Sequence, residues 1–159
     1  MKNVLITDFK EACFQQAFQK YFKELGIQVN NWEGLFEEMN SEGDNKAYVR
    51  LTEENEIVGF IQFKLIKLTN WFFEERLGFV REFWIADQYR NDGHGSALLD
   101  LAEEYFVENG IFKSILTTDT AEKFYLNRGY QKDLSYKALN EDFVYIKELK
   151  NGDKKNAVL

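Results

Sequence analysis

The chain has 159 residues, 45% of them hydrophobic and 30% charged, which suits one ordinary domain and excludes both a disordered segment and a membrane protein. Its 20 basic and 27 acidic residues leave a net charge of −7, which argues against a nucleic-acid partner because phosphate recognition needs surplus basic side chains. The single cysteine, Cys13, permits no internal disulfide, and the single histidine, His94, offers little for a metal site. Because no signal-peptide or membrane-spanning pattern is present, we expect a cytoplasmic protein without a membrane partner.

The first half of the sequence predicts a short strand, two helices and a β-hairpin. Phe14, Phe18, Tyr21 and Phe22 recur at steps of three and four, which is the spacing of one helix face, and Gly26 would end that helix. Farther along, apolar and polar residues alternate, which is the period of a strand with one buried face. The predicted elements are a strand at residues 3–8, a helix that contains 14–25 and ends near Gly26, a helix at 30–40, and strands at 47–51 and 57–65.

A loop rich in aromatic and acidic residues is predicted at residues 69–76. The strand predicted after it, at residues 77–85, is apolar and aromatic on both faces. A strand of this kind is buried on both sides, so we expect it at the centre of the sheet.

The second half of the sequence alternates helix and strand. Asp119, followed three residues later by Glu122, resembles a capping box at the start of the second of these helices. The predicted elements are a helix at 93–108, a strand at 111–118, a helix at 121–128 and a closing hairpin formed by 130–136 and 143–148. We interpret residues 1–150 as a single domain and residues 151–159 as a polar tail.

The segment that joins the central strand to the next helix carries the chemistry. Gly93 and Gly95 lie at the predicted helix start, where unpaired backbone N–H groups and the helix dipole favour an anion. Arg90 adds a positive charge at the mouth of this turn. The spacing fits neither a P-loop nor the dinucleotide fingerprint, nor does it contain the Gly-x-Ser-x-Gly of a hydrolase. The segment therefore predicts a cradle for a pyrophosphate.

Arg90, Gly93 and Gly95 form an Arg-x-x-Gly-x-Gly motif that closely resembles the acetyl-coenzyme A loop of the GCN5-related N-acetyltransferase (GNAT) superfamily. Residues 121–130, AEKFYLNRGY, resemble the family's Ala-x-x-Phe-Tyr-x-x-x-Gly-Phe/Tyr helix. The resemblance implies an α/β fold of the α+β type, with a mixed, mostly antiparallel sheet of about six to seven strands flanked by four helices. It also implies that acetyl-coenzyme A binds where a bulge splays the central strand from its neighbour.

The resemblance assigns cofactor contacts to particular positions. The backbone of the central strand would bind the pantetheine arm, and backbone N–H groups of the loop would hold the pyrophosphate, His94 among them as a backbone donor. Thr118 stands where the family often has an asparagine that contacts the cofactor. The implied cofactor residues are Phe83, Trp84, Ile85, Arg90, Asn91, Asp92, Gly93, His94, Gly95, Ser96 and Thr118.

Two residues are the catalytic candidates. In the matched motif, Tyr125 takes the place of the general acid that protonates the departing thiolate. Glu82, on the central strand, is a candidate general base for the attacking amine, because burial would raise its pKa, and a structural salt bridge is the equal alternative. A catalytic glutamate that some members carry is replaced here by Lys113.

These features together predict an N-acetyltransferase that works by direct attack in a ternary complex. Trp71, Phe73, Glu74 and Glu75 are candidate contacts for a small cationic amine, since aromatic faces and carboxylates both attract cations. A protein N-terminus or lysine is an alternative acceptor, and a non-catalytic acyl-coenzyme A-binding module is an alternative of another class. The aromatic residues also leave a homodimer surface open.

Overall fold

The computed structural model describes residues 1–150, which form four α-helices and one seven-stranded sheet. The elements in chain order are β1 (Lys2–Ile6), α1 (Ala12–Leu25), α2 (Trp32–Ser41), β2 (Asn45–Leu51), β3 (Ile57–Thr69), β4 (Glu74–Ile85), a 3-10 turn (Asp87–Tyr89), α3 (His94–Glu108), β5 (Lys113–Thr118), α4 (Glu122–Asn127), β6 (Gln131–Lys132) and β7 (Phe143–Glu148). None of the helices in this range is both long and apolar enough to span a bilayer.

The sheet is mixed and mostly antiparallel, as predicted. Its strands lie in the order β1-β2-β3-β4-β5-β7-β6, so β4 holds the central position expected of it. β4 and β5 run parallel, with Gly78 opposite Ser114 and Phe79 opposite Ile115. The pairs β1–β2, β2–β3, β5–β7 and β6–β7 are antiparallel.

The described residues group into two compact units. The first comprises Met1–Lys64 and Arg81–Ala102, and the second comprises Leu65–Val80 and the residues from Glu103 onward. The strands β3 and β4 and the helix α3 each contribute residues to both. The interpretation of residues 1–150 as a single domain remains a prediction, and the polar tail at 151–159 lies outside the described residues.

The first unit has an aromatic core between its helices and its strands. Phe14 of α1 lies 5.6 Å from Phe18, 6.0 Å from Phe36 of α2 and 5.7 Å from Phe60 of β3, measured between ring centroids. All four rings are at least 98% buried. The predicted apolar face of α1 therefore does face the sheet, and the helix ends at Gly26 with the left-handed φ of +72° that glycine tolerates.

β4 carries one residue more than β3 along their shared hairpin. At the tip, the Asn70 N–H donates to the Phe73 carbonyl, and at the far end the Ala86 N–H donates to the Val58 carbonyl. Twelve residue steps separate Val58 from Asn70, whereas thirteen separate Phe73 from Ala86. This extra residue is a β-bulge in β4.

The side-chain contacts of β4 agree with a bulge beside Arg81 and Glu82. Arg81 donates to Glu42, which follows α2, and Glu82 accepts a hydrogen bond from Tyr21 of α1. Successive side chains of a regular strand point to opposite faces, yet these two neighbours both reach the helical layer. The bulge therefore turns two consecutive side chains toward the helices, in agreement with the bulged strand that the family resemblance implied.

The β3–β4 hairpin is longer and its loop shorter than predicted. β3 extends to Thr69 and β4 begins at Glu74, so the predicted loop at 69–76 is wrong and only residues 70–73 connect the strands. The Asn70 side chain accepts hydrogen bonds from the N–H groups of Phe72 and Phe73, each at 2.9 Å, and this compact turn allows pairing to continue to the tip. Glu74 and Glu75 consequently belong to a strand rather than to a loop.

Two predictions for the second unit also need correction. The closing hairpin is short, because β6 covers only Gln131–Lys132 and residues 133–142 form a loop. The predicted capping box at Asp119 is wrong: Ala121 precedes α4 as its N-cap residue, and its N–H donates to the hydroxyl of Thr118 at 3.0 Å. The hydroxyl of Thr118 thus stabilises the start of α4 instead.

A buried polar cluster joins three elements of the second unit to Tyr130, which lies between α4 and β6. The Glu103 carboxylate accepts hydrogen bonds from Lys147 Nζ at 2.7 Å and from the Tyr130 hydroxyl at 2.9 Å. Ser114 Oγ lies 2.8 Å from the same Tyr130 hydroxyl. Because Glu103, Ser114 and Tyr130 are all buried and all hydrogen-bonded, this cluster fixes α3, β5 and β7 relative to the connection between α4 and β6.

Candidate functional site

The loop between β4 and α3 exposes a row of backbone donors. Asn91 and Gly93 have φ values of +67° and +82°, and the first helical bond runs from the Ala97 N–H to the Gly93 carbonyl. Among the residues that the structure describes, no acceptor is found for the N–H groups from Asn91 to Ser96. Unpaired amides at a helix start attract anions. The predicted cradle therefore has the donors that a pyrophosphate requires.

Gly93 is needed for its backbone conformation rather than for space. A Cβ at this position would meet no heavy atom within 4 Å. Its φ of +82°, however, is one that residues with a side chain rarely adopt. The first glycine of the motif therefore permits the left-handed turn that directs the following amides.

His94 begins α3, and its ring is held by an arginine from β2. Arg50 Nε donates to His94 Nδ1 at 3.0 Å, so the proton of a neutral His94 ring lies on Nε2. The Tyr89 ring packs edge-on against the imidazole, with 6.0 Å between centroids. These contacts fix the side chain beside the loop, and they are consistent with the predicted role of His94 through its backbone.

Arg90 is bound by acceptors of the chain itself. Its Nη2 lies 2.7 Å from both carboxylate oxygens of Glu24, and its Nε donates to the Ile85 carbonyl at 2.9 Å. Its Nη1 lies 3.4 Å from the Asp87 carboxylate. The sequence predicted a positive charge at the mouth of the cradle, and in the structure this charge is paired internally.

Glu82 is held by the hydroxyl of Tyr21, which donates to its Oε2 at 2.8 Å. Burial raises the pKa of the Glu82 carboxyl, and this effect prevails over the Tyr21 hydrogen bond and the charge of Arg81, both of which lower it. Within residues 1–150, Glu82 forms no ion pair, since Arg81 pairs with Glu42 instead. The carboxylate thus has the partly buried, elevated-pKa environment that a general base requires.

Trp84 lies on β4 two residues beyond Glu82 and contacts the same helix. Its indole Nε1 donates to Glu24 at 2.9 Å, and its ring centroid lies 6.3 Å from that of Tyr21. Although burial acts in the opposite direction, hydrogen bonds from Arg90 and Trp84 hold the pKa of Glu24 below its usual value. Glu24 and Tyr21 therefore connect α1 to the segment that was predicted to bind the cofactor.

Tyr125 lies on α4 in the second unit and is 7% exposed. Its ring contacts Phe124 and Tyr130 edge-on, with centroid distances of 5.1 and 5.6 Å. Burial raises the pKa of Tyr125 to about 12. Across the described part of the chain, its hydroxyl has no hydrogen-bond partner, although buried tyrosine hydroxyls usually find one.

The four candidate acceptor contacts lie on the β3–β4 hairpin. Trp71 and Phe73 stand at its tip, 96% and 75% exposed. Glu74 lies 3.6 Å from Lys67, and Glu75 lies 3.5 Å from Lys113 and accepts a hydrogen bond from Tyr136. The aromatic side chains are thus free to meet a ligand, whereas both carboxylates already have partners.

The sequence does not single out Tyr21 and Glu24 as part of this arrangement. The periodicity predicts Tyr21 on the apolar face of α1, where its ring does pack, and its hydroxyl gives no separate signal. Glu24 follows three residues later, a spacing that places both on neighbouring turns of one helix. That spacing predicts a shared face, but only the packing of α1 reveals what the face contacts.

A central strand with a bulge, a glycine turn and a helix with unpaired N-terminal amides follow one another here, and such amides can accept an anionic ligand. The sequence matches the model of the Acetyltransferase (GNAT) family over residues 5–130. The chain therefore belongs to the GNAT family of acetyltransferases. No curated protein has a sequence that matches it.

Solved structures show the same fold. A Pyrococcus furiosus protein named as an acetyl transferase is 25% identical over 83% of this chain and 95% of that one, with a TM-score of 0.64. An aminoglycoside 6'-N-acetyltransferase complexed with coenzyme A is 14% identical over 93% and 97%, with a TM-score of 0.71. A chain of the NatC complex bound to Gag peptide and coenzyme A is 16% identical over 94% and 100%, with a TM-score of 0.65.

Proposed function

We propose that this protein is an acetyl-coenzyme A-dependent N-acetyltransferase that acetylates a small cationic amine. The observation that carries the proposal is the row of unpaired amides from Asn91 to Ser96 at the start of α3. Membership of the GNAT family supports the same reaction class, and structures of the same fold contain coenzyme A. The residues present therefore fit the cofactor that the family implies.

The cofactor would be held mainly by backbone groups. The amides of residues 91–96 would bind its pyrophosphate, and the backbone of Phe83 and Trp84 would bind the pantetheine arm. The β4–β5 ladder pairs β4 at Gly78 and Phe79, which leaves the later residues of β4 outside that ladder. The carbonyl of Ile85 is engaged by Arg90, so Ile85 would contribute its N–H. Thr118 would contact the cofactor through its backbone, because its hydroxyl holds Ala121.

Bound acetyl-coenzyme A supplies an activated acetyl thioester for attack by an amine. Glu82 would accept a proton from that amine, directly or through water, because burial brings the pKa of its carboxyl closer to neutrality. Cys13 is not proposed as a nucleophile: it is half-buried, and burial raises the pKa of its thiol, which disfavours the thiolate. Direct transfer to the amine within a ternary complex is therefore the proposed route.

Tyr125 would stabilise the departing sulfur. With a pKa of about 12 it is fully protonated at neutral pH and has a hydrogen to donate. Full proton transfer to a thiolate whose conjugate acid has a pKa near ~8.5 would be unfavourable. The buried hydroxyl would therefore donate a hydrogen bond to the developing thiolate. Complete transfer of its proton, which is general-acid catalysis, is the extreme case of the same interaction.

The acceptor is proposed to be a small amine that carries a positive charge. The net charge of −7 favours such a substrate, and the exposed rings of Trp71 and Phe73 would contact it by cation–π attraction. Glu74 and Glu75 would assist, since ion pairs as exposed as theirs are weak enough to exchange. A protein N-terminus or lysine is the alternative acceptor, and a chain of the NatC complex, whose solved structure is bound to Gag peptide and coenzyme A, has the same fold.

The first test compares ligands by thermal unfolding. Acetyl-coenzyme A and coenzyme A should raise the unfolding temperature, whereas ATP and NAD should not, because a ligand stabilises only the state that binds it. Release of the free thiol is then measured with a panel of polyamines, aminoglycosides and amino-acid amines, and with peptides. Protection by ATP or NAD but not by coenzyme A would refute the cofactor assignment.

The Tyr125→Phe variant separates an enzyme from a binding module. For an enzyme, turnover with a responsive amine should fall while coenzyme A binding, measured by calorimetry, persists. Tyr145→Phe, which removes another buried hydroxyl of the second unit, is the matched control. If coenzyme A binds but no amine or peptide is acetylated by the unmodified protein, the non-catalytic acyl-coenzyme A-binding module replaces the enzyme.

A further inference from the structure

The arginine of the Arg-x-x-Gly-x-Gly motif has its donors engaged within the protein. Arg90 reaches both oxygens of Glu24 through Nη2, the Ile85 carbonyl through Nε and, at a longer distance, Asp87 through Nη1. Guanidinium groups offer five donors in a fixed fork, so contacts on Nε, Nη1 and Nη2 fix the orientation of the whole group. In this arrangement Arg90 joins the end of β4 to the loop and to α1.

Glu24 is the centre of that connection. Besides binding Arg90 it accepts the indole N–H of Trp84 at 2.9 Å, so a single carboxylate joins the last turn of α1, the end of β4 and the first residue of the loop. Its carboxylate also offsets the charge of Arg90. A negative group beside an anion site weakens anion binding by Coulomb repulsion, and its presence there needs a structural reason.

We propose that Glu24 is a positioning residue for the cofactor loop. Through Arg90 it holds residues 90–96 in the conformation that presents their amides, and Arg90 acts as the link rather than as a phosphate ligand. This inference rests on the proposed function, since it assumes that the pyrophosphate of coenzyme A binds these amides. It assigns a role to an α1 residue outside both sequence motifs.

The two roles open to Arg90 predict opposite effects of the same substitution. If Arg90 leaves Glu24 to bind the pyrophosphate, the carboxylate competes with the cofactor, and Glu24→Gln should strengthen coenzyme A binding. If Glu24 positions the loop through Arg90, Glu24→Gln should weaken binding even though a negative charge is removed. Glutamine retains an oxygen that can accept from Trp84, but it is uncharged and cannot offer two carboxylate oxygens to Arg90 Nη2.

The experiment measures coenzyme A affinity by calorimetry for the full chain, Glu24→Gln, Arg90→Gln and the double variant. We expect each single variant to bind up to about fivefold more weakly, the range expected when an ion pair of this exposure is lost. The double variant should bind like either single variant, because both remove one connection. Glu37→Gln, which removes an exposed α2 carboxylate, controls for the change in net charge and should bind as the unmodified chain does.

Salt dependence gives a second readout that a general loss of structure would not reproduce. Removing a cation that contacts the phosphates directly should make the slope of log affinity against log salt shallower, because less screened attraction remains. Removing a cation that is already paired within the protein should change that slope little. We expect Arg90→Gln to keep the slope of the unmodified chain. Circular-dichroism melts verify that each variant is folded at the temperature of the titration. If Glu24→Gln is not folded there, Arg90→Gln alone tests the inference.

The outcomes are distinct. Tighter binding by Glu24→Gln, or a shallower salt slope for Arg90→Gln, would overturn the positioning role and make Arg90 a phosphate ligand while leaving the proposed function intact. Additive losses in the double variant would also overturn it. Failure of the unmodified chain to bind coenzyme A would refute the proposed function, and this inference with it.

Discussion

Gly59 on β3 sets the distance to the end of β4, and replacing it with alanine gives a quantitative test of the structure. A Cβ at this position would lie 2.4 Å from the Trp84 carbonyl oxygen, 2.7 Å from Ile85 Cδ1 and 3.0 Å from Ile85 Cα. Two of the three contacts are backbone atoms, which cannot move away by a change of rotamer. The strand itself would have to shift.

The cost of Gly59→Ala follows from these contacts. Overpacking a well-packed site costs about 1–3 kcal/mol, and the upper half of that range applies because the backbone must yield. The neighbouring bond from the Ala86 N–H to the Val58 carbonyl, 2.8 Å long, would be strained as β4 moves, at a cost of about 1 kcal/mol. Alanine recovers about 0.5–1 kcal/mol by restricting the unfolded chain. The net loss in the free energy of unfolding is about 2–3.5 kcal/mol.

Urea unfolding followed by circular dichroism would measure this loss, and Gly34→Ala is the matched control. A Cβ at Gly34 would meet only the flexible Asn31 side chain, whose Nδ2 lies 2.6 Å away. The helix propensity gained there, about 1 kcal/mol, offsets the weakened N-cap, so we expect little change. If the free energy of unfolding of Gly59→Ala lies within about 0.5 kcal/mol of that of the unmodified protein, β3 does not approach Trp84 and Ile85 as closely as the structure shows.

Three further predictions test the site and the second unit. Gly93→Ala should weaken coenzyme A binding by about tenfold, since the left-handed φ costs an L-residue about 1–2 kcal/mol. Calorimetry that finds an unchanged affinity would contradict the proposal that this turn presents the amides to the pyrophosphate. Tyr21→Phe removes a hydrogen bond that lowers the pKa of the Glu82 carboxyl, so that pKa should rise further. Because the base must be deprotonated, the acid limb of the acetylation rate should move to higher pH. NMR titration of the carboxyl that shows no rise would count against Tyr21 as its hydrogen-bond donor. Glu103→Gln removes the carboxylate that pairs with Lys147 and should destabilise the fold by about 1–3 kcal/mol. Thermal unfolding that shows no loss would mean that the buried cluster contributes nothing to stability.

The glycine turn and helix start between β4 and α3 could be predicted from the sequence because they depend on local backbone physics. A strand, a glycine that permits positive φ and a helix start lie next to one another in the chain, and each leaves its own pattern. The same holds for the apolar face of α1 and for the central position of β4. The tip of the β3–β4 hairpin was not predicted, because the turn at Asn70 depends on a side-chain hydrogen bond that composition does not signal.

The sequence by itself determined the helices, the central strand and the motif that bears the amides, since these follow from the spacing of residues along the chain. Only the tertiary structure decided that Tyr21 holds Glu82 and that Glu24 holds Arg90, because these partners lie 61 and 66 residues apart. Which polar atoms meet depends on how α1 crosses the bulged part of β4. Periodicity specifies the buried face of a helix, whereas the partner of each polar group on that face is set by packing in three dimensions.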